Sequence, residues 1–287
     1  DDCKNFEIDI LKPDVNKSQL NFINQGDNEI LYGLGAVKGL GKAAVENIIS
    51  ERKQKPFENL YDFCARVDLS KVDKRGIEPL IKSGAMDSFN LSRKEMLESL
   101  EDAMKYAKQN TMTLESGISD LFGGISESND FIPVKKEKYD DSVNSKFEFS
   151  ALGFYLETHP VKEHYWELKK LGTGSIKNVI EDRVNVISGV IVRQNRIQTR
   201  RGPLVFATLD DGTDRIELVI SSEVLDSFEG NLSPQTIYIA SGDVTFEKDA
   251  QKKNIGLQKK MRVTDIKSLE EARMKSVTKI KINIEGQ

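Results

Sequence analysis

The spacing of hydrophobic residues changes along the chain, and it predicts a helical region followed by a sheet-rich region. Between Ile30 and Lys108, apolar residues recur every three or four positions, as at Val45, Ile48 and Ile49, which is the periodicity of amphipathic helices. We expect four or five short helices there. From Val184 onward, apolar and often β-branched residues alternate with polar ones, which is typical of strands.

One helix start carries a capping sequence. Ser92 is followed three residues later by Glu95, the capping-box form in which each side chain bonds the other residue's backbone amide. Apolar residues then continue at helical spacing from Met96. A helix is therefore expected to begin directly after Ser92.

Five strand-like runs and one helix-like segment fill residues 184–268. The helix-like segment, residues 222–228, separates the third run from the fourth. This order is that of an OB-fold barrel. The runs lie at 184–197, 204–209, 215–220, 236–246 and 254–266.

Composition divides the rest of the chain. Residues 1–30 mix short apolar runs with turn formers, which predicts short strands and loops. Residues 109–145 are polar and indicate a linker, interrupted by an apolar island at 118–125. A last apolar alternation within 269–287 suggests the first strand of a further domain. Because the start lacks an initiator methionine and a signal peptide, we interpret the chain as a fragment.

Overall composition describes a heavily charged globular protein. The 287 residues are 38% hydrophobic and 31% charged, and 42 Lys+Arg stand against 46 Asp+Glu. The length suits about two domains, and no apolar run approaches the ~20 residues that cross a bilayer. The formal net charge of −4 predicts that any phosphate-binding surface is local. Two cysteines without metal spacing favour a reducing cytoplasm, and with two histidines no metal site is expected.

The strongest local motif is the glycine-rich stretch from residue 34 to residue 48. An apolar segment, a Gly-Leu-Gly turn and a helix of small and apolar residues form a helix-hairpin-helix arrangement. The glycines let backbone amides approach a phosphate oxygen, and the helix N-terminus adds a favourable dipole. We therefore predict sequence-independent, salt-sensitive DNA binding, with a merely well-packed corner as the alternative. The predicted residues are Lys38, Gly39, Leu40, Gly41 and Lys42.

The same glycines fit three other motifs poorly. Gly33, Gly35 and Gly39 lack the spacing of a dinucleotide-binding fingerprint, and Ala36 stands where a P-loop needs its first glycine. Asp62 occupies the place of a catalytic aspartate in hairpin-type glycosylases. Its surroundings indicate a surface carboxylate on a helix instead.

A second, weaker hairpin is predicted between Ile77 and Asp87, ahead of the capped helix. It contains one glycine, Gly84, where the first hairpin has two in its turn. Both a structural role and a phosphate contact stay open for it.

Basic residues cluster where an OB fold would hold a single strand. Four arginines surround the predicted turn between its first two strands, a loop that OB folds use on oligonucleotides. Phe206 and Phe246 could stack on bases, or they could belong to the core. The arginines are Arg193, Arg196, Arg200 and Arg201, and Lys248, Lys252 and Lys253 lie between the last two strands.

The island in the linker is a candidate docking segment. It holds Ser119, Asp120, Leu121 and Phe122, an acidic residue followed by two apolar side chains that can fill a partner's groove or pin the linker to its own domain. No catalytic constellation is recognised. Asp210-Asp211-Gly212 is interpreted as a hairpin corner, and the histidines, His159 and His164, as structural.

Three stretches carry a resemblance to a known family. They are Tyr32 to Gly41 (YGLGAVKGLG), Leu152 to Pro160 (LGFYLETHP) and Leu209 to Gly212 (LDDG). In this order they resemble the C-terminal part of the alpha subunits of bacterial DNA polymerase III, and the resemblance extends over essentially the whole chain. Together with the hairpin and strand patterns, it gives an α+β multidomain fold class, a helical helix-hairpin-helix domain followed by a five-stranded OB-fold β-barrel.

The resemblance implies a role for each segment. Residues 119–122 match the internal sliding-clamp motif, with Ile118 where the family usually has glutamine. The duplex would be held by the helix-hairpin-helix domain and the single-stranded template by the OB domain. The implied segments are the end of the fingers domain at 1–30, the duplex- and clamp-binding domain at 31–183 with its linker at 109–145, the OB domain at 184–268 and the start of a truncated C-terminal domain at 269–287.

The resemblance also implies partners and limits the expected chemistry. Expected partners are duplex and single-stranded DNA, the sliding clamp and other replisome subunits in the cytoplasm, and no membrane. The family's catalytic aspartates, which hold two magnesium ions for nucleotidyl transfer, lie upstream and match nothing here. We therefore expect no catalytic residue and no cofactor in this chain, and no DNA-directed DNA polymerase activity from it alone.

Two other classes of protein stay open. A repair enzyme such as an NAD-dependent ligase would normally place the OB fold before the hairpins and needs an adenylated-lysine motif, which is not recognised here. The second class is a protein-interaction scaffold of the replisome with little intrinsic DNA binding. Charge reversal at Arg200 and Arg201 would separate that scaffold from a DNA-binding protein.

Overall fold

The chain divides into two compact units. A computed structural model describes residue 3 and residues 6–116, 138–200, 202–228, 231–248 and 257–276. One unit ends at Thr158 and the other begins at His159. The strand pattern predicts the domain boundary between residues 183 and 184, so the observed boundary lies earlier in the chain.

The first unit opens with a small three-stranded sheet. Its strands are β1 (Asp9–Leu11), β2 (Ile23–Gly26) and β3 (Glu29–Leu31), in the order β1-β3-β2. Strand β1 runs parallel to β3, and β2 runs antiparallel to it. The short strands expected in this region are thus present.

Five helices lie in the described part of this unit after the sheet. They are α1 (Lys42–Arg52), α2 (Leu60–Arg66), α3 (Lys74–Lys82), α4 (Arg93–Ser116) and α5 (Asp141–Leu152), with short 3-10 turns at Leu34–Ala36 and Asp87–Phe89. The first four lie in or start within the region predicted to be helical. Helices α4 and α5 both extend into the predicted linker 109–145, because α4 continues to Ser116 and α5 starts at Asp141.

Side-chain caps fix where several of these helices begin. Asn59 accepts a hydrogen bond from the amide of Asp62 at 2.9 Å and starts α2. The predicted capping box is confirmed: the Ser92 amide donates to Glu95 Oε2 at 2.7 Å, and the Glu95 amide donates to Ser92 Oγ at 3.2 Å. Apolar side chains at helical spacing then meet in one core, including Ile48, Phe63, Leu80 and Met96.

The second unit is a closed five-stranded barrel. Its strands are β4 (Val184–Thr199), β5 (Gly202–Asp210), β6 (Arg215–Ile220), β7 (Ile237–Lys248) and β8 (Leu257–Ser268), in the order β4-β5-β6-β8-β7. Neighbouring strands are antiparallel except β6 and β8, which are parallel. A short helix, α8 (Ser222–Ser227), lies between β6 and β7 in the chain. The predicted five-stranded OB-fold barrel, with a helix between its third and fourth strands, is therefore confirmed.

Residues before β4 also belong to the barrel unit. They form α6 (Pro160–Glu163), α7 (Tyr165–Lys170) and a 3-10 turn at Ile176–Asn178. Ile176 is fully buried in the barrel core, and its amide donates to Asp211 Oδ2 at 2.8 Å. These contacts explain why the unit starts at His159. After β8, helix α9 (Leu269–Ser276) packs through Leu269 and Ala272.

Candidate nucleic-acid interface

The predicted hairpin joins the turn at Leu34–Ala36 to helix α1. Gly39 has φ +85°, in the left-handed region that favours glycine. Gly41 is the N-cap of α1, and no side chain of the described residues caps this end. Gly41, Lys42 and Ala43 are exposed. Because the first amides of a helix lack intrahelical partners, this end can offer them to an anion.

The two lysines of the hairpin are held differently. The amide of Lys38 donates to the carbonyl oxygen of Ala151 at 2.8 Å. The Lys38 ammonium lies beside Gly153 at the C-terminus of α5: a Cβ built on this glycine would be 3.0 Å from Lys38 Nζ. The helix dipole favours a cation at this position. Lys42 Nζ is 3.7 Å from Glu46 Oε1 in an exposed pair of little energetic weight. Lys42 is therefore the more available cation for a phosphate.

Leu40 anchors the turn between the two glycines. Its side chain is buried in the core, and its Cδ1 would lie 3.3 Å from a Cβ at Gly76 in α3. A Cβ at Gly39 would lie 3.4 Å from Pro79 Cγ in the same helix. Leu40 thus anchors the turn against α3. Because its side chain is buried, only its backbone can contact a ligand.

Two of the stretches that carry the family resemblance meet beside this hairpin. Tyr32 Oη donates to the carbonyl oxygen of Ala36 at 3.1 Å and lies 3.5 Å from that of Leu152. The chain after α5 then wraps around the buried carboxylate of Glu148, which accepts from the amide of Leu156 at 2.7 Å. Burial raises the pKa of Glu148, against the effect of these amide hydrogen bonds. The hairpin is therefore positioned by residues far along the chain.

The turn of the second predicted hairpin is covered by other residues of the same chain. Ser83, Gly84 and Ala85 are buried, and a Cβ at Gly84 would collide with the guanidinium of Arg93. Arg93 also donates to both oxygens of Asp87, at 3.1 and 2.9 Å. A turn occupied by an internal ion pair cannot offer its amides to a phosphate, which favours the structural role for this hairpin.

The arginines of the barrel project from two faces. Residues directly opposite each other in a sheet share a face. Arg193 lies opposite Thr208, whereas Arg196 lies opposite the buried Val205 and lines a cavity near α8 together with Asp226. Arg193 thus lies on the outer face of the sheet. Arg196 lies on the same face of the sheet as the core residue Val205. Both are exposed, as is Arg200 in the turn after β4.

An aromatic ring stands at the centre of the outer face. Phe206 of β5 is half-buried. It lies opposite Asn195 of the neighbouring strand β4 and opposite Val219 of the neighbouring strand β6. Val219 in turn lies opposite Arg262 of β8, which is exposed. Arg262 is not among the residues predicted from the sequence. The alternation around the buried Met261 would have placed it outside the barrel.

Other predicted residues are placed elsewhere. Phe246 packs against the barrel core, which favours the core interpretation over a stacking face. The clamp-motif residues 119–122 lie outside the described residues, as do Arg201, Lys252 and Lys253. Clamp binding therefore stays a prediction from the sequence.

The corner between β5 and β6 is built around a buried carboxylate. Asp210 Oδ2 accepts from Arg215 Nε at 2.7 Å, its Oδ1 accepts from the Gly212 amide at 2.8 Å, and His159 Nε2 lies 3.3 Å from the same oxygen. Burial alone would raise the pKa of Asp210, but His159 and Arg215 hold it well below its usual range. Gly212 has φ +83°, and a Cβ there would lie 3.0 Å from His159 Cγ. The predicted hairpin corner is confirmed, and His159 has a structural place in it.

Two features are absent from the part of the chain that the structure describes. Across these residues, no group of three or more His, Cys, Asp or Glu side chains is arranged to hold a metal ion. None of the helices there is both long and apolar enough to cross a membrane.

Comparison with known families defines the class of protein. A helix-hairpin-helix motif model matches residues 7–96, and an OB-fold nucleic acid binding domain model matches residues 185–269. The chain therefore combines a helix-hairpin-helix motif with an OB-fold nucleic acid binding domain. One solved structure with similarity, the second OB-fold domain of replication protein A from Methanococcus maripaludis, is 19% identical and covers 34% of this chain and 95% of that chain, with a TM-score of 0.26.

The curated relatives are more specific. DNA polymerase III subunit alpha of Pasteurella multocida is 34% identical over 281 residues, which are 95% of this chain and 24% of that protein. The same subunit of Vibrio cholerae is 34% identical over 292 residues, with 99% and 25% covered, and that of Escherichia coli K12 is 32% identical over 293 residues, with the same coverage. The chain spans about a quarter of the length of these relatives. Nearly all of it is thus similar to one segment of DNA polymerase III subunit alpha, which confirms the resemblance found in its motifs.

Proposed function

We propose that this chain is a DNA-handling segment of a replicative polymerase, which holds duplex DNA by its first hairpin and single-stranded template by its barrel. The observation that carries the proposal is the exposed start of α1, which no described side chain caps and which follows a left-handed Gly39 with Lys42 beside it. Backbone amides at such a helix start bind phosphate without regard to base sequence.

Lys42→Gln is expected to weaken duplex binding severalfold at low salt and to reduce the slope of log affinity against log salt by about one, because one phosphate contact is lost. Fluorescence anisotropy of a labelled duplex across a salt series measures both quantities. Lys53→Gln is the matched control, since Lys53 is exposed at the opposite end of the same helix. Equal effects of the two substitutions would argue against binding by the hairpin.

Gly39→Ala tests the turn itself. At φ +85°, an alanine costs about 1–2 kcal/mol and is expected to shift the turn away from the geometry that offers its amides. Duplex affinity should fall while single-strand affinity stays the same. Unchanged duplex affinity, with the fold intact by circular dichroism, would favour the well-packed corner.

The barrel face gives a sharper test, because two nearby arginines lie on opposite faces. Phe206→Ala should weaken binding of a single-stranded oligonucleotide about tenfold through loss of one base stack. Arg193→Glu should weaken it as well, whereas Arg196→Glu should do so less, because Arg196 lines the cavity near α8. Equal losses at Arg193 and Arg196 would contradict an outer-face site.

The scaffold remains the competing function. It predicts that neither the hairpin variants nor the barrel variants change DNA affinity, and that the wild-type chain shows little salt-dependent binding. Sliding-clamp attachment through residues 119–122 is part of our proposal on the strength of the sequence motif.

A further inference from the structure

The barrel unit carries an exposed aromatic pair outside the OB-fold face. Trp166, the only tryptophan of the chain, has 72% of its surface exposed, and Tyr165 has 50% exposed. Both lie on α7, and their ring centres are 5.2 Å apart in an edge-to-face arrangement. Tryptophan is highly buried on average, so this exposure calls for an explanation.

A cation accompanies the two rings. Lys169 Nζ lies 5.5 Å from the ring centre of Trp166 and 5.8 Å from that of Tyr165. The lysine is exposed, as is its neighbour Lys170. Rings with a cation over one face offer a base the opposite face for stacking, and the cation supplies a charge for the phosphate.

The helix that presents these rings is held firmly. Leu168 is buried, and its carbonyl oxygen accepts from Thr173 Oγ1 at 3.0 Å. Glu167 is bound by Arg273 of α9 through two hydrogen bonds, of 2.6 and 2.7 Å. The one carboxylate beside Trp166 in the sequence is therefore paired with a cation, and it does not set a free negative charge against a phosphate.

The size of the patch favours a nucleic acid over a protein. Its large exposed apolar side chains are Tyr165 and Trp166. A stable protein interface buries about 800 Å² on each side, far more than these two side chains provide. A nucleobase needs the face of one ring.

We infer that Trp166, with Tyr165 and Lys169, forms a second single-strand contact, on which a base of single-stranded DNA stacks while Lys169 meets its phosphate. The inference rests on the proposed single-strand binding by the barrel unit. It adds a site on α7 that is separate from the Phe206 face.

The single tryptophan allows a direct test with the full chain. Titration with oligo(dT) is expected to quench the tryptophan emission and to saturate at the concentration at which anisotropy of a labelled oligo(dT) saturates. Trp166→Ala should lower affinity about tenfold, the cost of one base stack, and Lys169→Gln should reduce the salt slope by about one. Val184→Ala is the control, because it removes another exposed apolar side chain of the same unit, 67% exposed, and should leave affinity unchanged.

The possible failures are distinguishable. Oligonucleotide binding without quenching, together with unchanged affinity in Trp166→Ala, overturns this inference and leaves the proposed function standing. Phe206→Ala should weaken binding but retain quenching at saturation. Absence of any binding overturns both. Self-association of the chain that Trp166→Ala abolishes, without quenching by DNA, overturns the inference in favour of contact between copies.

Discussion

Asp210→Asn is expected to destabilise the barrel unit by about 3 kcal/mol, the range for breaking a buried ion pair. The carboxylate is 3% exposed and receives hydrogen bonds from Arg215 and the Gly212 amide. An asparagine could keep one of these bonds but would remove the negative charge that Arg215 Nε bonds. Hydrogen exchange of the β5 and β6 amides in the full chain measures the loss.

Asp214→Asn is the matched control in the same corner. Asp214 is more exposed, with 39% of its side chain accessible, and its pair with Lys259 should contribute about 1 kcal/mol or less. Losses of similar size in the two variants would mean that the corner is held by its backbone turn rather than by the buried carboxylate.

The same carboxylate predicts a pH dependence. Its pKa in the folded protein is depressed, so its contribution to stability is complete above the unfolded value of about 4 and is lost as pH falls toward the folded value. The gap in unfolding free energy between wild type and Asp210→Asn should therefore be widest near neutral pH and should shrink below about pH 4. Urea unfolding at several pH values checks this, and a constant gap would contradict it.

Arg93→Met should destabilise the first unit by a comparable amount, about 3 kcal/mol. Arg93 has 9% of its side chain exposed and bonds Asp87, the carbonyl oxygen of Lys82 and Glu157. Removal of the guanidinium leaves Asp87 with Lys12, 2.9 Å away, as its remaining described cation partner. Thermal unfolding of the full chain, followed by exchange of the α3 and α4 amides, measures the effect.

A double variant separates the buried charge from the packing. In Asp87→Asn/Arg93→Met, the carboxylate that lost its Arg93 partner is also removed, so part of the stability should return. Lys105→Met is the control: its pair with Asp102 is about 70% exposed on both sides and should contribute about 0.5 kcal/mol. A double variant as unstable as the sum of its two single variants would argue against coupling between these side chains.

The sequence predicted the features that depend on local chemistry. The capping box at Ser92 and the Asp210 corner follow from side chains that bond nearby backbone amides, so short motifs suffice to find them. The five strands of the barrel could be found from the alternation within each strand. The glycines of the first hairpin could be recognised because a left-handed turn needs them.

The faces of the arginines could not be predicted in the same way. Strict alternation from the buried Ile191 would place Arg193 on the core side and Arg196 outside. A register shift between Ile191 and Arg193 reverses both positions. Such a bulge depends on the partner strand, so the sequence of β4 alone does not reveal it. Contacts across long separations, such as His159 with Asp210, escaped prediction for the same reason.

The bond between the Lys38 amide and Ala151 bears on how the proposed DNA-binding region can be mapped with shortened chains. The family match for the hairpin ends at residue 96, but Leu152 belongs to the same core, and Tyr32 reaches its carbonyl oxygen. A fragment cut at residue 96 would expose the apolar surface that α5 covers. If such a fragment lost DNA binding, the cause would be the unfolding of the core that holds the hairpin in place. The smallest fragment suited to such mapping ends beyond residue 156, where the turn around Glu148 is complete.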